Sequence, residues 1–173
     1  MARRGDLDRV LEELEAFHAA VDRAAARVAK IHAGRLVCRS GCADCCVDDF
    51  AVFEVEAERI RRRHKVLLSL MIPHPKGACA FLDDENHCLI YDCRPYVCRT
   101  QGLPLSWTET RDDGSVREFR DICPLNEEGE PLEDLPRDSC WVIGPSEEQL
   151  ADLQRRWGNG ELQRVKLRDL PGG

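Results

Sequence analysis

No stretch of this 173-residue chain is apolar for long enough to cross a bilayer, and its first ten residues (MARRGDLDRV) carry charge where a secretory leader needs an apolar run. Both absences predict a soluble cytoplasmic protein without a membrane partner. A surplus of positive charge is missing too. The 25 Lys and Arg against 32 Asp and Glu leave a net charge of −7, whereas phosphate neutralisation needs cationic excess, so no nucleic-acid partner is expected. Internal repeats and low-complexity tracts are absent, as is any Ser, His and Asp nucleophile motif. What the chain has in abundance is cysteine. Its 43% hydrophobic residues suffice for a core, so the ten Cys are not required as disulfide staples. In a reducing compartment such a count points to metal or redox chemistry.

Along the chain, Val10, Leu14, Phe17, Val21, Ala24, Val28 and Ile31 alternate steps of four and three, which predicts a helix over 6–33 with one apolar stripe, Asp6 as N-cap and Gly34 at its end. The stripe reads as a packing face, and the helix is also the candidate element for docking a protein partner. Residues 53–68 are helical in character, with the basic run Arg59, Arg61, Arg62, Arg63 and Lys65 as a solvated face; Pro73 and Pro75 end the segment. Residues 79–102 read as short strands and loops, and Asp113-Gly114 between two strand-like runs predicts a β-hairpin over 105–121. Ser146 and Gln149 suggest a capping box opening a last helix to about Trp157, followed by a short strand over 162–167.

Cys38, Cys42, Cys45 and Cys46 stand in a C-x3-C-x2-C-C run. Thiolates crowded together repel one another unless a cation joins them, so such a run points to a soft metal. Adjacent side chains of an extended segment diverge, so Cys45 and Cys46 could serve different centres, the second drawing on Cys79, Cys88, Cys93, Cys98 and Cys123. Structural zinc usually shows two short ligand pairs, and only Cys42 and Cys45 form one here. A compact run of three plus a remote fourth suits an iron–sulfur cluster, with [4Fe-4S] favoured and zinc as the alternative. The same run occurs in radical S-adenosylmethionine enzymes, but this chain is too short for their barrel. His87 beside Cys88 is the one histidine expected near a metal; His18 and His32 are read as surface or packing residues. Arg94 and Arg99 flank the cysteines and are candidate cofactor-binding residues, otherwise paired with Asp83, Asp84 or Asp92. Pro95 is read as a backbone constraint, and Tyr91 and Tyr96 as packing residues.

CRSGCADCC (38–46), CAFLDDENHCLIYDCRPYVCR (79–99) and ICP (122–124) together resemble the YkgJ-like cysteine-cluster family, a zinc- or iron-chelating domain named for a CxxCxxCC motif, here with x3 in the first gap. The resemblance matches Cys79 and Leu82, Cys88, Tyr91, Arg94-Pro95 and Cys98-Arg99 to the family pattern. It implies Cys38, Cys42, Cys45, Cys46, Cys79, Cys88, Cys98 and Cys123 as metal ligands, enough for two four-ligand sites, with Cys93 and Cys140 left over. It extends to flagellin lysine-N-methylases, which use S-adenosylmethionine, although no glycine-rich methyl-donor loop follows a strand here. The fold expected is α+β: a small, mostly helical domain with a β-hairpin, packed around cysteine-rich metal-binding loops. Residues 1–35 form the N-terminal helix and 36–173 a single cysteine-cluster domain. The function expected is metal binding, as iron–sulfur or zinc. The alternatives are an iron–sulfur enzyme, possibly a methylase, and a zinc-stabilised interaction module.

Overall fold

The computed structural model describes residues 4–172. Helix α1 spans Arg4–Ile31. Val10, Leu14, Phe17, Val21 and Val28 are buried along it, joined by Ala25, while Ile31 has rotated out to solvent. That drift is what a 3.6-residue turn does to a strict four-three pattern. Asp6 lies inside the first turn rather than capping it, where a carboxylate complements the positive helix end. The stripe is covered by the chain itself.

Strand β1 (Ala51–Phe53) leads directly into α2 (Glu54–Arg63). The single helix predicted over 53–68 is two helices, because His64 adopts φ −116° and ψ 29° and α3 (Lys65–Leu70) starts afresh. The basic face of α2 is solvated at Arg61 and Arg62, which pair with Glu54 and with Asp8 and Glu58, whereas Arg59, paired with Glu15, is largely buried. The strands expected in the second cysteine stretch are not formed. Its only ladder contact is an isolated bridge between Leu82 and Cys88, closed by Asn86 at φ 64°. A 3₁₀ turn over Tyr91–Cys93 and the short helix α4 (Tyr96–Thr100) follow. Pro95 sets the entry to α4, where its missing N–H costs nothing.

The hairpin forms as expected from β2 (Leu105–Thr110) and β3 (Val116–Asp121), with Gly114 at φ 79° in its turn. The two-residue β4 (Trp141–Val142) adds to β2 in parallel. Helix α5 runs Pro145–Trp157 with Gly144 at its N-cap, so Ser146 sits inside the helix and no capping box forms. Pro at the first helical position, with φ already set, starts the helix instead. The last strand, β5 (Arg164–Lys166), pairs antiparallel with β1. Helix makes up 45% and strand 13% of the chain, so the domain is α+β with helix dominant.

Two apolar clusters result. One gathers Leu14, Phe17 and Val21 of α1 with Tyr96, Trp141, Leu150 and Leu153. Within it, Trp141 Nε1 donates to the Tyr96 hydroxyl at 3.0 Å. The other gathers Val52, Ile60, Phe81, Ile90 and Cys93, and continues into Cys79 and Cys88. Glu56, buried between them, accepts from the Tyr96 backbone N–H at 2.7 Å and bonds His18 Nε2 at 2.9 Å. His18 is thus a buried packing residue, and His32 is likewise buried, its Nε2 2.8 Å from the Ser139 carbonyl.

Candidate metal centre

Each cysteine is delivered by a loop or a single helical turn. Tight turns, with Cys42 N–H on the Arg39 carbonyl and Cys46 N–H on the Ala43 carbonyl, compress the first run. Gly41, at φ 80°, permits the first of them. The two cysteine stretches are joined where Cys79 N–H donates to the Cys46 carbonyl at 2.8 Å. Cys88 sits at the bridge opposite Leu82, Cys98 projects from α4, and Cys123 lies between β3 and a 3₁₀ turn over Pro124–Asn126.

Seven of the eight expected ligands line one pocket of about 570 Å³: Cys38, Cys42, Cys45, Cys46, Cys79, Cys88 and Cys98. The eighth, Cys123, does not line it, but its thiol feels the charges of Cys45, Cys38 and Cys42. Cys46 feels Cys45, Cys79 and Cys98, Cys98 feels Cys79, Cys88 and Cys45, and Cys88 feels Cys79. The thiols group as Cys38, Cys42, Cys45 and Cys123 on one side and Cys46, Cys79, Cys88 and Cys98 on the other, with Cys45 reaching across to Cys46 and Cys98. They meet at the adjacent pair. There the Cys46 thiol donates to Cys45, which lowers the Cys45 pKa to about 7 and raises that of Cys46. Burial pushes Cys79, Cys88, Cys98 and Cys123 above the ordinary thiol range. Without a cation these sulfurs stay protonated, and a bound metal has to displace the protons, so occupancy falls as the pH is lowered.

Cys38 has a built seat that sequence reasoning missed. Asn126, fully buried, donates from Nδ2 to Cys38 Sγ at 3.3 Å and to the Gly102 carbonyl at 2.8 Å, while its Oδ1 accepts from Val37 N–H at 2.9 Å. A Cβ on Gly102, which sits at φ 87°, would come within 2.9 Å of the same sulfur. Two arginines brace the irregular loops. Arg168 donates to the carbonyls of His74, Pro75 and Ala78, just before Cys79, and also pairs with Asp48. Arg35 donates to the carbonyls of Glu127, Glu128 and Glu130, just after Cys123. A planar fork with several donors suits loops whose carbonyls have no ladder to join. Seven thiols brought to one pocket from separate loops, with Cys123 nearby and a cradle that excludes a Cβ, fit thiolate-ligated zinc or iron.

Arg94 lines the pocket, stacks 4.1 Å above the Tyr91 ring and pairs with Asp22 at 3.2 Å. Tyr91 is 63% exposed on that wall, not a core residue. Arg99 is buried, pairs with the other Asp22 oxygen at 2.5 Å and does not line the pocket. Both arginines therefore reach the same carboxylate on α1 rather than Asp83, Asp84 or Asp92. His87 lines the pocket rim, its Nδ1 within 3.6 Å of Asp83. Cys93 and Cys140 are buried elsewhere.

No curated protein and no solved structure matches the chain significantly. The profile of one family matches residues 37–124, half of the chain and the whole of the cysteine region from Cys38 to Cys123. The chain belongs to the CxxCxxCC family, described as a zinc- or iron-chelating domain.

Proposed function

We propose that the chain holds iron in two adjacent four-thiolate centres, one on Cys38, Cys42, Cys45 and Cys123 and the other on Cys46, Cys79, Cys88 and Cys98. The observation that carries this reading is the grouping of the eight thiols about Cys45 and Cys46: Cys123 faces Cys38, Cys42 and Cys45, while Cys98 faces Cys79 and Cys88 and Cys46 faces Cys79 and Cys98. An all-sulfur donor set suits four-thiolate zinc and iron–sulfur clusters alike, and the compact run of Cys38, Cys42 and Cys45 with a remote fourth cysteine favours the cluster.

A cluster bound there would supply one-electron redox chemistry. The chain's own contribution is to orient and tune. Asn126 keeps an N–H on Cys38, and hydrogen bonds to ligating sulfur raise a cluster's reduction potential. Arg94 sets a cation on the pocket wall, held by Asp22. Protein purified without oxygen is expected to be brown, with iron and acid-labile sulfide in similar amounts and a paramagnetic signal on reduction. Colourless protein carrying zinc alone would overturn the iron assignment and leave only structural metal.

A further inference from the structure

We propose that His64, Asp92 and Cys93 form a separate site for a single zinc-type divalent ion, with mixed nitrogen, oxygen and sulfur ligands, outside the eight-thiol pocket. One donor atom from each of the three lies within 4.8 Å of the other two. His64 Nε2 and Asp92 Oδ1 are 3.0 Å apart. In a tetrahedral site with bonds of about 2.0 Å to nitrogen or oxygen and about 2.3 Å to sulfur, ligand atoms stand roughly 3.3–3.8 Å from one another. The trio is thus within about an ångström of metal-ligand spacing before any ion is added.

The backbone explains why these side chains meet. His64 occupies the break between α2 and α3, with its N–H on the Ile60 carbonyl and its carbonyl accepting from Leu68 N–H. Asp92 and Cys93 are consecutive in the 3₁₀ turn packed against α2. Such a turn presents both side chains toward one helix junction, where an extended segment would send them to opposite faces.

The surroundings also fit. Cys93 is 3% exposed and His64 16%, whereas Asp92 is 56% exposed, so the soft ligand is sheltered and the carboxylate side is open to a water as fourth ligand. A thiolate and a carboxylate together neutralise a divalent charge, with the imidazole neutral. Arg63 Nε lies 3.5 Å from the second Asp92 oxygen, which keeps that oxygen occupied and leaves Oδ1 as a single donor. Burial raises the pKa of the Cys93 thiol against the lowering pull of Arg59, so an ion bound there has to displace the thiol proton. This use of Cys93 accounts for one of the two cysteines that the eight-thiol pattern leaves over.

The test is cadmium-113 NMR on the full chain loaded with cadmium, in which an ion with mixed ligands resonates well upfield of one bound by four thiolates. The expected result is one upfield resonance integrating to one ion per chain. Asp92→Asn, His64→Asn and Cys93→Ala should each abolish it and lower bound cadmium by one equivalent, with the thiolate resonances unchanged. Absence of the upfield resonance from the unaltered chain, or its survival in Asp92→Asn and Cys93→Ala, would overturn the proposal. Asp92 is a surface residue, so Asp92→Asn reads the site without disturbing the core. Failure of the eight-thiol pocket would remove only the downfield resonances and leave this one, so the two readings fail separately.

Discussion

The two apolar clusters of this domain are built on different terms. Around Phe17, Tyr96 and Trp141 the space is filled by side chains of α1, α4, α5 and the sheet, and the Trp141 indole N–H is satisfied by Tyr96. Around Phe81 and Ile90 the apolar packing runs out into Cys79 and Cys88, and beyond them lies a pocket walled by thiols. The first cluster is complete within the chain. The second opens onto that pocket, and its loops are secured by guanidinium groups rather than by secondary structure.

The largest way to break the contrast is to strip metal. Chelation is expected to leave most of the far-UV helical signal, which α1 and α5 dominate, while the cysteine loops become susceptible to protease; concurrent loss of both would show that the helical cluster depends on metal. The reciprocal change is Phe17→Ala, which should cost about 3–5 kcal/mol of stability by denaturant melt, in apo and loaded protein alike. Next comes Asn126→Ala. It leaves the buried Gly102 carbonyl without its donor, at about 1–3 kcal/mol, and removes both the acceptor of Val37 N–H and the N–H on Cys38. Metal should be released several-fold faster, as followed with a chromogenic chelator.

Much of this layout is readable from residues. The stripe of α1, the Asp113-Gly114 turn and the two cysteine stretches each announce themselves through local spacing. The break at His64 does not, because no Gly or Pro marks it and the flanking residues favour helix on both sides. The cap of α5 differs for a related reason: Ser146 and Gln149 match a capping pattern, but Gly144 and Pro145 set the boundary one residue earlier. Asn126, Arg35 and Arg168 were invisible as site residues, since their partners are distant in sequence and are mostly backbone carbonyls, which no side-chain pattern encodes. The signal nearest to hand was the position of Asn126, three residues after Cys123 in a polar loop.

The smallest expected effect sharpens the boundary between the two clusters. Burial holds the pKa of His18 below its usual value of about 6.5, against the opposing pull of Glu56. The unfolded chain therefore takes up a proton that the folded chain refuses as the pH drops below about 6.5. Stability from this group is complete above that pH and is lost progressively toward the folded pKa. Thermal melts of metal-free protein between pH 7 and 5 should show a decline that is shallower in His18→Gln.

The central claim is that eight cysteines make two four-thiolate centres that meet at Cys45 and Cys46. Metal per chain, measured beside far-UV spectra in one variant with Cys38, Cys42, Cys45 and Cys123 changed to Ser and another with Cys46, Cys79, Cys88 and Cys98 changed to Ser, tests it most directly. Each variant is predicted to keep its helices and half of the pocket's metal; complete loss of that metal from both would contradict two centres and indicate a single shared one.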